Sequence, residues 1–157
     1  MNEMYTAIQR RDQAIQEELS QVAIKQDRYD EQEKPCIILI IDDSAADRKI
    51  YRRFLTNQDR IAVEILEASS AHAGLEICAS AKPDCVILDF RLPDRDGLSL
   101  LDDLQTIHPV PVIFITGQPE ALLVSEAFRR GVVKYISKDT VTSSSIQEAV
   151  YDALDLI

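Results

Sequence analysis

The stretch CVILDFRLPDRDG, Cys85–Gly97, opens with four apolar residues that show no alternation and then meets Asp89. A run that short, apolar on both faces of an extended chain, is what a strand buried in the middle of a parallel sheet requires. Charges, Pro93 and Gly97 follow at once, so the chain leaves the core at Asp89 and turns. A carboxylate at the end of a buried strand serves either to solvate the loop or to act as a nucleophile or metal ligand.

Working outward from this run, four more short apolar stretches occur: Cys36–Ile41 (CIILII), Ile61–Leu66 (IAVEIL), Pro111–Thr116 (PVIFIT) and Val132–Ile136 (VVKYI). Each leads into a segment with helical spacing, the alternation of a parallel sheet covered by helices. Ser44 to Asp47 fits a helix-start signature, with Ile50, Phe54 and Leu55 as its apolar face. Leu75 and Cys78 mark a helix starting near Ser70, and Leu101 and Leu104 one that follows Gly97. Pro119 suits the first turn of a fourth helix and Gly131 its end. Ser145 and Glu148 read as a capping box for the last, whose face is Ile146, Val150, Ala153, Leu154 and Ile157. The sum is (βα)5. In open sheets of this kind ligands bind beyond the carboxyl ends of the strands.

Residues 1–34 are different. They are rich in Gln, Glu, Arg and Asp and contain neither glycine nor proline, which suits a solvated helical extension or linker, with the compact domain expected over residues 35–157. Ile8, Ile15 and Val22 recur every seven residues, with Met4 and Leu19 nearby, a narrow stripe suited to docking on its own domain or to a homodimer. Arg11 and Glu18 weaken the stripe, and a frayed, solvated extension is the competing expectation.

Composition removes several classes of function. A formal net charge of −10 over 157 residues argues against a nucleic-acid-binding surface, which needs clustered Lys and Arg. No stretch has the length and apolarity of a membrane span or a signal peptide. Cys36, Cys78 and Cys85 lie in apolar patterns without a C-x-x-C pair, so they read as reduced thiols of a cytoplasmic protein. His72, inside a helical pattern, and His108, before Pro109, receive no role.

The ends of the predicted strands hold the chemistry. The first ends in Asp42 and Asp43, the third in Asp89 and the fourth in Thr116, while the fifth runs through Tyr135 to Lys138 just beyond it. Right-handed crossovers bring these termini to one edge. Carboxylates gathered there raise one another's proton affinity unless a cation is present, and oxygen ligands in small number suit Mg²⁺. A phosphoryl group passing to Asp89 would have its equatorial oxygens neutralised by Mg²⁺, Lys138 and the Thr116 hydroxyl.

On these residues the sequence from 36 to 157 resembles the receiver domains of two-component response regulators. The resemblance rests on the paired acids Asp42 and Asp43, the D-x-x-x-P-x-x-D-G run of Asp89, Pro93, Asp96 and Gly97, Thr116 in FITG, and Lys138 after YIS. It implies a flavodoxin-like doubly wound sheet of strand order 2-1-3-4-5. It further implies that Asp43, Asp89 and the backbone carbonyl of Arg91 ligate Mg²⁺, with Asp42 acting through water. Asp89 would take phosphate from a histidine kinase or a histidine phosphotransfer protein, Thr116 and Tyr135 would switch in response, and Arg91 and Gln118 would tune the phosphoryl lifetime. The signal would leave through the face of the fourth helix, fifth strand and fifth helix of that domain, toward a downstream protein. Such domains usually carry Lys-Pro, often with a cis bond, whereas Asp139 follows Lys138 here. The loop then either runs trans or is held in strain, since a non-proline cis bond costs about 2.5 to 4 kcal/mol.

Three rival readings stand beside this one. A nucleotide-binding enzyme would want a glycine-rich turn after the first strand, and DDSAAD has none. An aspartyl-phosphate hydrolase would place its nucleophile after the first strand and add a cap domain. A pseudo-receiver would keep the fold as an interaction module and lose the chemistry, which Asp139 favours and the full acid set opposes. Read as a receiver, the chain is expected to lack an attached output domain or to be the receiver fragment of a hybrid histidine kinase.

Overall fold

The computed structural model describes residues 2–117 and 120–155, with the side chains of residues 24–33 left aside. Its elements are α1 (Asn2–Glu33), β1 (Cys36–Ile41), α2 (Ala45–Thr56), β2 (Val63–Ala68), α3 (Ala71–Ala81), β3 (Cys85–Leu88), α4 (Gly97–Ile107), β4 (Val112–Thr116), α5 (Ala121–Arg129), β5 (Val132–Ser137) and α6 (Ser143–Ala153). The chain divides into two compact units, Met1–Lys34 and Pro35–Ile157.

In the second unit the strands form one parallel sheet of order β2-β1-β3-β4-β5, as the flavodoxin-like reading expects. Burial along each strand follows from that order. β3 and β4, covered on both faces and flanked on both sides, are buried at every residue, whereas the edge strands β2 and β5 are buried at only two residues each. β2 begins two residues later than its sequence pattern suggests, because Cys36 pairs with Val63 and the register holds from there to Ala68.

Residues of opposite parity build two cores, one on each face. Leu39, Ile41, Val86, Leu88, Val112 and Phe114 pack under α3, α4 and α5 through Cys78, Leu100, Leu101, Leu104 and Ala127. Ile38, Ile40, Ile87, Ile113, Ile115 and Ile136 pack under α2 and α6 through Tyr51, Leu55, Ile146 and Val150. This doubly wound arrangement leaves the carboxyl edge of the sheet uncovered by helices. Cys78 and Cys85 are buried thiols and Cys36 is half-buried, with burial pushing Cys85 up to about 12.

Three helix-start and helix-face expectations change. Ile50 is exposed, and Tyr51 takes its place in the core beside Leu55. The capping box of α6 lies three residues earlier than expected: Thr142 is the N-cap and Ser145, not Glu148, answers it. Ser44 does cap α2 by accepting from the Asp47 N–H at 3.2 Å, yet the Asp47 carboxylate does not return the bond. Gly131, at φ +103, follows the end of α5 as a helix-stop glycine. Pro119 and Ile157 lie outside the described residues.

In the first unit α1 is a single helix of 32 residues, about 48 Å long at the usual rise. Met4, Tyr5, Ile8, Ile15, Leu19 and Val22 are exposed along it.

Candidate functional site

Asp42 follows the last residue of β1, and its N–H donates to the carbonyl of Ala68 at 3.0 Å, continuing the ladder with β2. Asp89 does the same for β3, donating to the carbonyl of Ile41 at 2.9 Å. The ladder thus carries both carboxylates to the sheet edge, where Asp42 is 1% exposed and Asp89 5%. Asp43 remains exposed. One oxygen from each of Asp42, Asp43 and Asp89 lies within 4.8 Å of the others.

Lys138 closes the site. Its N–H donates to the carbonyl of Thr116 at 3.0 Å, which fixes the start of the loop after β5 against the end of β4. The loop then turns with Thr140 N–H donating to Ser137 carbonyl at 3.1 Å, and no cis peptide occurs among the described residues, so Lys138–Asp139 is trans. The ammonium donates to Asp42 Oδ2 at 3.0 Å, Asp47 Oδ2 at 2.8 Å and Asp89 Oδ2 at 3.0 Å. An ammonium has three donors, and each finds a carboxylate. Burial works against the ammonium, but the bonds to Asp47, Asp42 and Asp89 outweigh it and hold Lys138 above the ordinary lysine range. Burial pushes the Asp42 carboxyl up, opposed by the Ser44 N–H and by Lys138.

The other Asp89 oxygen, Oδ1, accepts a long contact of 3.4 Å from the Arg91 N–H. The loop that follows is braced by Gly97 N–H to Phe90 carbonyl at 2.7 Å and by an antiparallel bridge between Arg91 and Asp96. Asp96 caps α4 by accepting from the Ser99 N–H. Gly97 is required here, because a Cβ would stand 2.9 Å from both the Asp89 carbonyl oxygen and Phe90 Cα.

Thr116 is buried at the end of β4, opposite Ser137 of β5. Tyr135 pairs with Phe114 and packs against the α3–α4–α5 core. Its hydroxyl is the one buried side-chain polar atom without a partner among the described residues. Asp42, Asp89 and Lys138 are therefore in direct contact, Asp43 adjoins them and Arg91 touches Asp89 through its backbone, while Thr116 and Tyr135 stand on the neighbouring strands. Gln118 lies outside the described residues.

Five residues at or around the site were not assigned to it from sequence. Asp47 reads as a helix-start residue but binds Lys138. Arg48 donates to the Asp42 carbonyl at 2.7 Å and to Glu67 at 3.2 Å, and Arg52 grips the same Glu67 at 2.7 Å, so α2 and β2 together fix the peptide between the paired acids. Asp94 accepts from the N–H groups of Ala71 and His72, both at 2.9 Å, tying the loop after β3 to the start of α3. Contacts across such distances in the chain leave no periodic signal.

The family described as the response regulator receiver domain matches residues 38–151. This chain belongs to that family. Among curated relatives, a protein-glutamate methylesterase/protein-glutamine glutaminase 2 of Saccharophagus degradans is 36% identical over 110 residues, 67% of this chain and 30% of that protein. The KDP operon transcriptional regulatory protein KdpE of Escherichia coli is 35% identical over 101 residues, 64% of this chain and 44% of that protein. The chain spans about a third of the length of the methylesterase relatives it matches. A solved response regulator receiver domain from Clostridium thermocellum superposes with a TM-score of 0.70 at 28% identity, covering 76% of this chain and 94% of that one. A methylesterase/glutaminase and a transcriptional regulatory protein both align with this same domain, and with the family match the likeness identifies a receiver of two-component signal transduction. No helix among the described residues is long and apolar enough to cross a membrane.

Proposed function

We propose that this receiver is a phosphoacceptor: Asp89 takes a phosphoryl group from a histidine of a kinase or phosphotransfer protein and thereby switches a protein-interaction surface. The observation that carries the reading is the contact of Lys138 with Asp42, Asp47 and Asp89 beside Asp43, an all-oxygen donor set with one fixed cation. Such a donor set fits Mg²⁺ better than a softer metal. Asp43, Asp89 and the Arg91 carbonyl would hold the ion, with Asp42 acting through water, and its chemistry is neutralisation of charge on the transferring phosphoryl oxygens.

An oxygen of Asp89 attacks phosphorus as the P–N bond of the donor imidazole breaks; the nitrogen keeps the electron pair and takes up a proton. Lys138 and the Thr116 hydroxyl then face the new phosphoryl oxygens. The phosphoryl group brings about −1.5 to −2 of charge and strong acceptors, enough to draw Thr116 toward it. Tyr135 would follow. Its hydroxyl is buried without a protein partner, so a new acceptor within reach would draw it. The output face would be α5, β5 and α6, where Leu122 and Val133 are 86% and 49% exposed.

The unit of residues 1–34 is proposed to pair with a second copy of itself. Parallel pairing on the exposed stripe would oppose two Asp12 carboxylates. Antiparallel pairing sets Asp12 beside Ile15 of the second copy, Ile8 beside Leu19, Tyr5 beside Val22 and Arg11 beside Glu18.

The test of phosphorylation is intact mass after incubation with a small acyl phosphate, with and without chelator. The wild-type chain gains one phosphoryl group only with Mg²⁺, and Asp89→Asn gains none. Undiminished labelling of Asp89→Asn sinks the assignment, and absence of labelling in the wild-type chain favours the pseudo-receiver.

A further inference from the structure

Of the three carboxylates on the Lys138 ammonium, Asp42 and Asp89 belong to the acid triad and Asp47 does not. That difference matters once the site is in use. A metal ion held by the triad competes with the ammonium for its carboxylates, and esterification of Asp89 removes that residue's charge. Of the three, Asp47 alone is neither esterified nor drawn on by the ion, directly or through water. It sits in the first turn of α2, where the Ser44 cap on its N–H fixes the backbone from which it reaches across. The loop cannot do the same work. It fixes the Lys138 backbone through Thr116, but beyond Cα the side chain has four torsions, and its entropy is among the largest of any residue.

Resting on the phosphoacceptor reading, we propose that Asp47 is a positioning residue of this site, a tether that keeps the Lys138 ammonium at the sheet edge while Asp42 and Asp89 are engaged elsewhere. The helix-start position explains why its acid is not spent on capping: the Ser44 N–H that a reciprocal cap would bind is already taken by Asp42 Oδ1 at 2.9 Å. Asp47 is left with Lys138, at the shortest of the three distances.

Two measurements on the full chain test the tether. In the first, initial rates of phosphoryl gain from a small acyl phosphate at saturating Mg²⁺ are compared for wild type, Asp47→Ala, Lys138→Met and the double variant. Asp47→Ala is expected to slow the reaction roughly three- to tenfold, the scale of one partly exposed charge-assisted bond, and to add nothing in the Lys138→Met background. An equal slowing in that background, or an unchanged rate when Lys138→Met is slow, overturns the proposal while leaving the phosphoacceptor reading intact. The second needs no phosphate: amine-acylation footprinting in Mg²⁺, read by peptide mass. Lys138 is expected to react several-fold faster in Asp47→Ala than in wild type, with Lys49 and Lys134 unchanged as internal references. Equal protection of Lys138 in both proteins overturns the tether even if wild type takes no phosphate. Alanine is a strong helix former at this position, and matching melting curves confirm that both chains are folded.

Discussion

At the scale of single residues, Asp94 shows how one carboxylate joins two elements. The N–H groups of His72 and Ala71 donate to it and hold its carboxyl below the ordinary carboxylate range. Because the folded value lies below the unfolded one, the stabilisation is complete above the unfolded-state pKa and is lost as pH falls through the folded one. Asp94→Ala is therefore expected to lower the melting midpoint at neutral pH by roughly 2–6 °C, the scale of a lost helix cap in a domain of this size. The gap between variant and wild type should narrow as pH falls below the ordinary carboxylate range and close once the acid is protonated in both folded and unfolded chains. Thermal melts across pH check this; a gap that persists undiminished into acid would show that the charge is irrelevant.

Among the elements, α4 and α6 make opposing demands on their first residues. Gly97→Ala adds a methyl that meets the backbone of Asp89 and Phe90, atoms that cannot swing aside. The expected loss is about 1–3 kcal/mol in a denaturant titration, with displaced amide resonances around Asp89. For α6, Thr142→Ala should cost about 1 kcal/mol through the lost cap, whereas Glu148→Ala should be near neutral. The sequence reading would give the reverse pair for Glu148, and the reason is instructive. S-x-x-E over Ser145–Glu148 matches the signature by residue type, but Thr142–Ser145 satisfies the same geometry one turn earlier. Serine can serve as either partner of a box, so composition alone does not set the phase.

Strands were legible where burial was uniform. β1 and β3 match their apolar runs because central strands have no polar face to confuse the pattern. β2 slipped by two residues because an edge strand ends where its pairing ends: the paired register runs from Val63 to Ala68, and Ile61 is apolar without belonging to it. The acids and Lys138 were legible because strand ends can be counted, and right-handed crossovers gather them. Asp47, Arg48 and Glu67 were not, since their roles depend on side chains meeting between α2, β2 and the loop after β5.

For the whole molecule, every site residue and both cores lie beyond Pro35. Residues 35–157 are therefore expected to fold and to take phosphate at the full chain's rate. Sedimentation should give a dimeric mass for the full chain and a monomeric mass for the truncated one. A charge-reversed stripe, Arg11→Glu, should return the full chain to monomer, and Glu18→Arg added to it should restore the dimer. Monomeric full chain at every concentration would eliminate pairing through α1.

The bond from Asp94 to the start of α3 has a practical use. Ala71 and His72 are 23 and 22 residues from Asp94 in sequence, yet their amide protons are held by it. Their resonances and exchange rates therefore form a label-free gauge of the loop beside Asp89, readable in any spectrum of the native protein without placing a probe in the site itself.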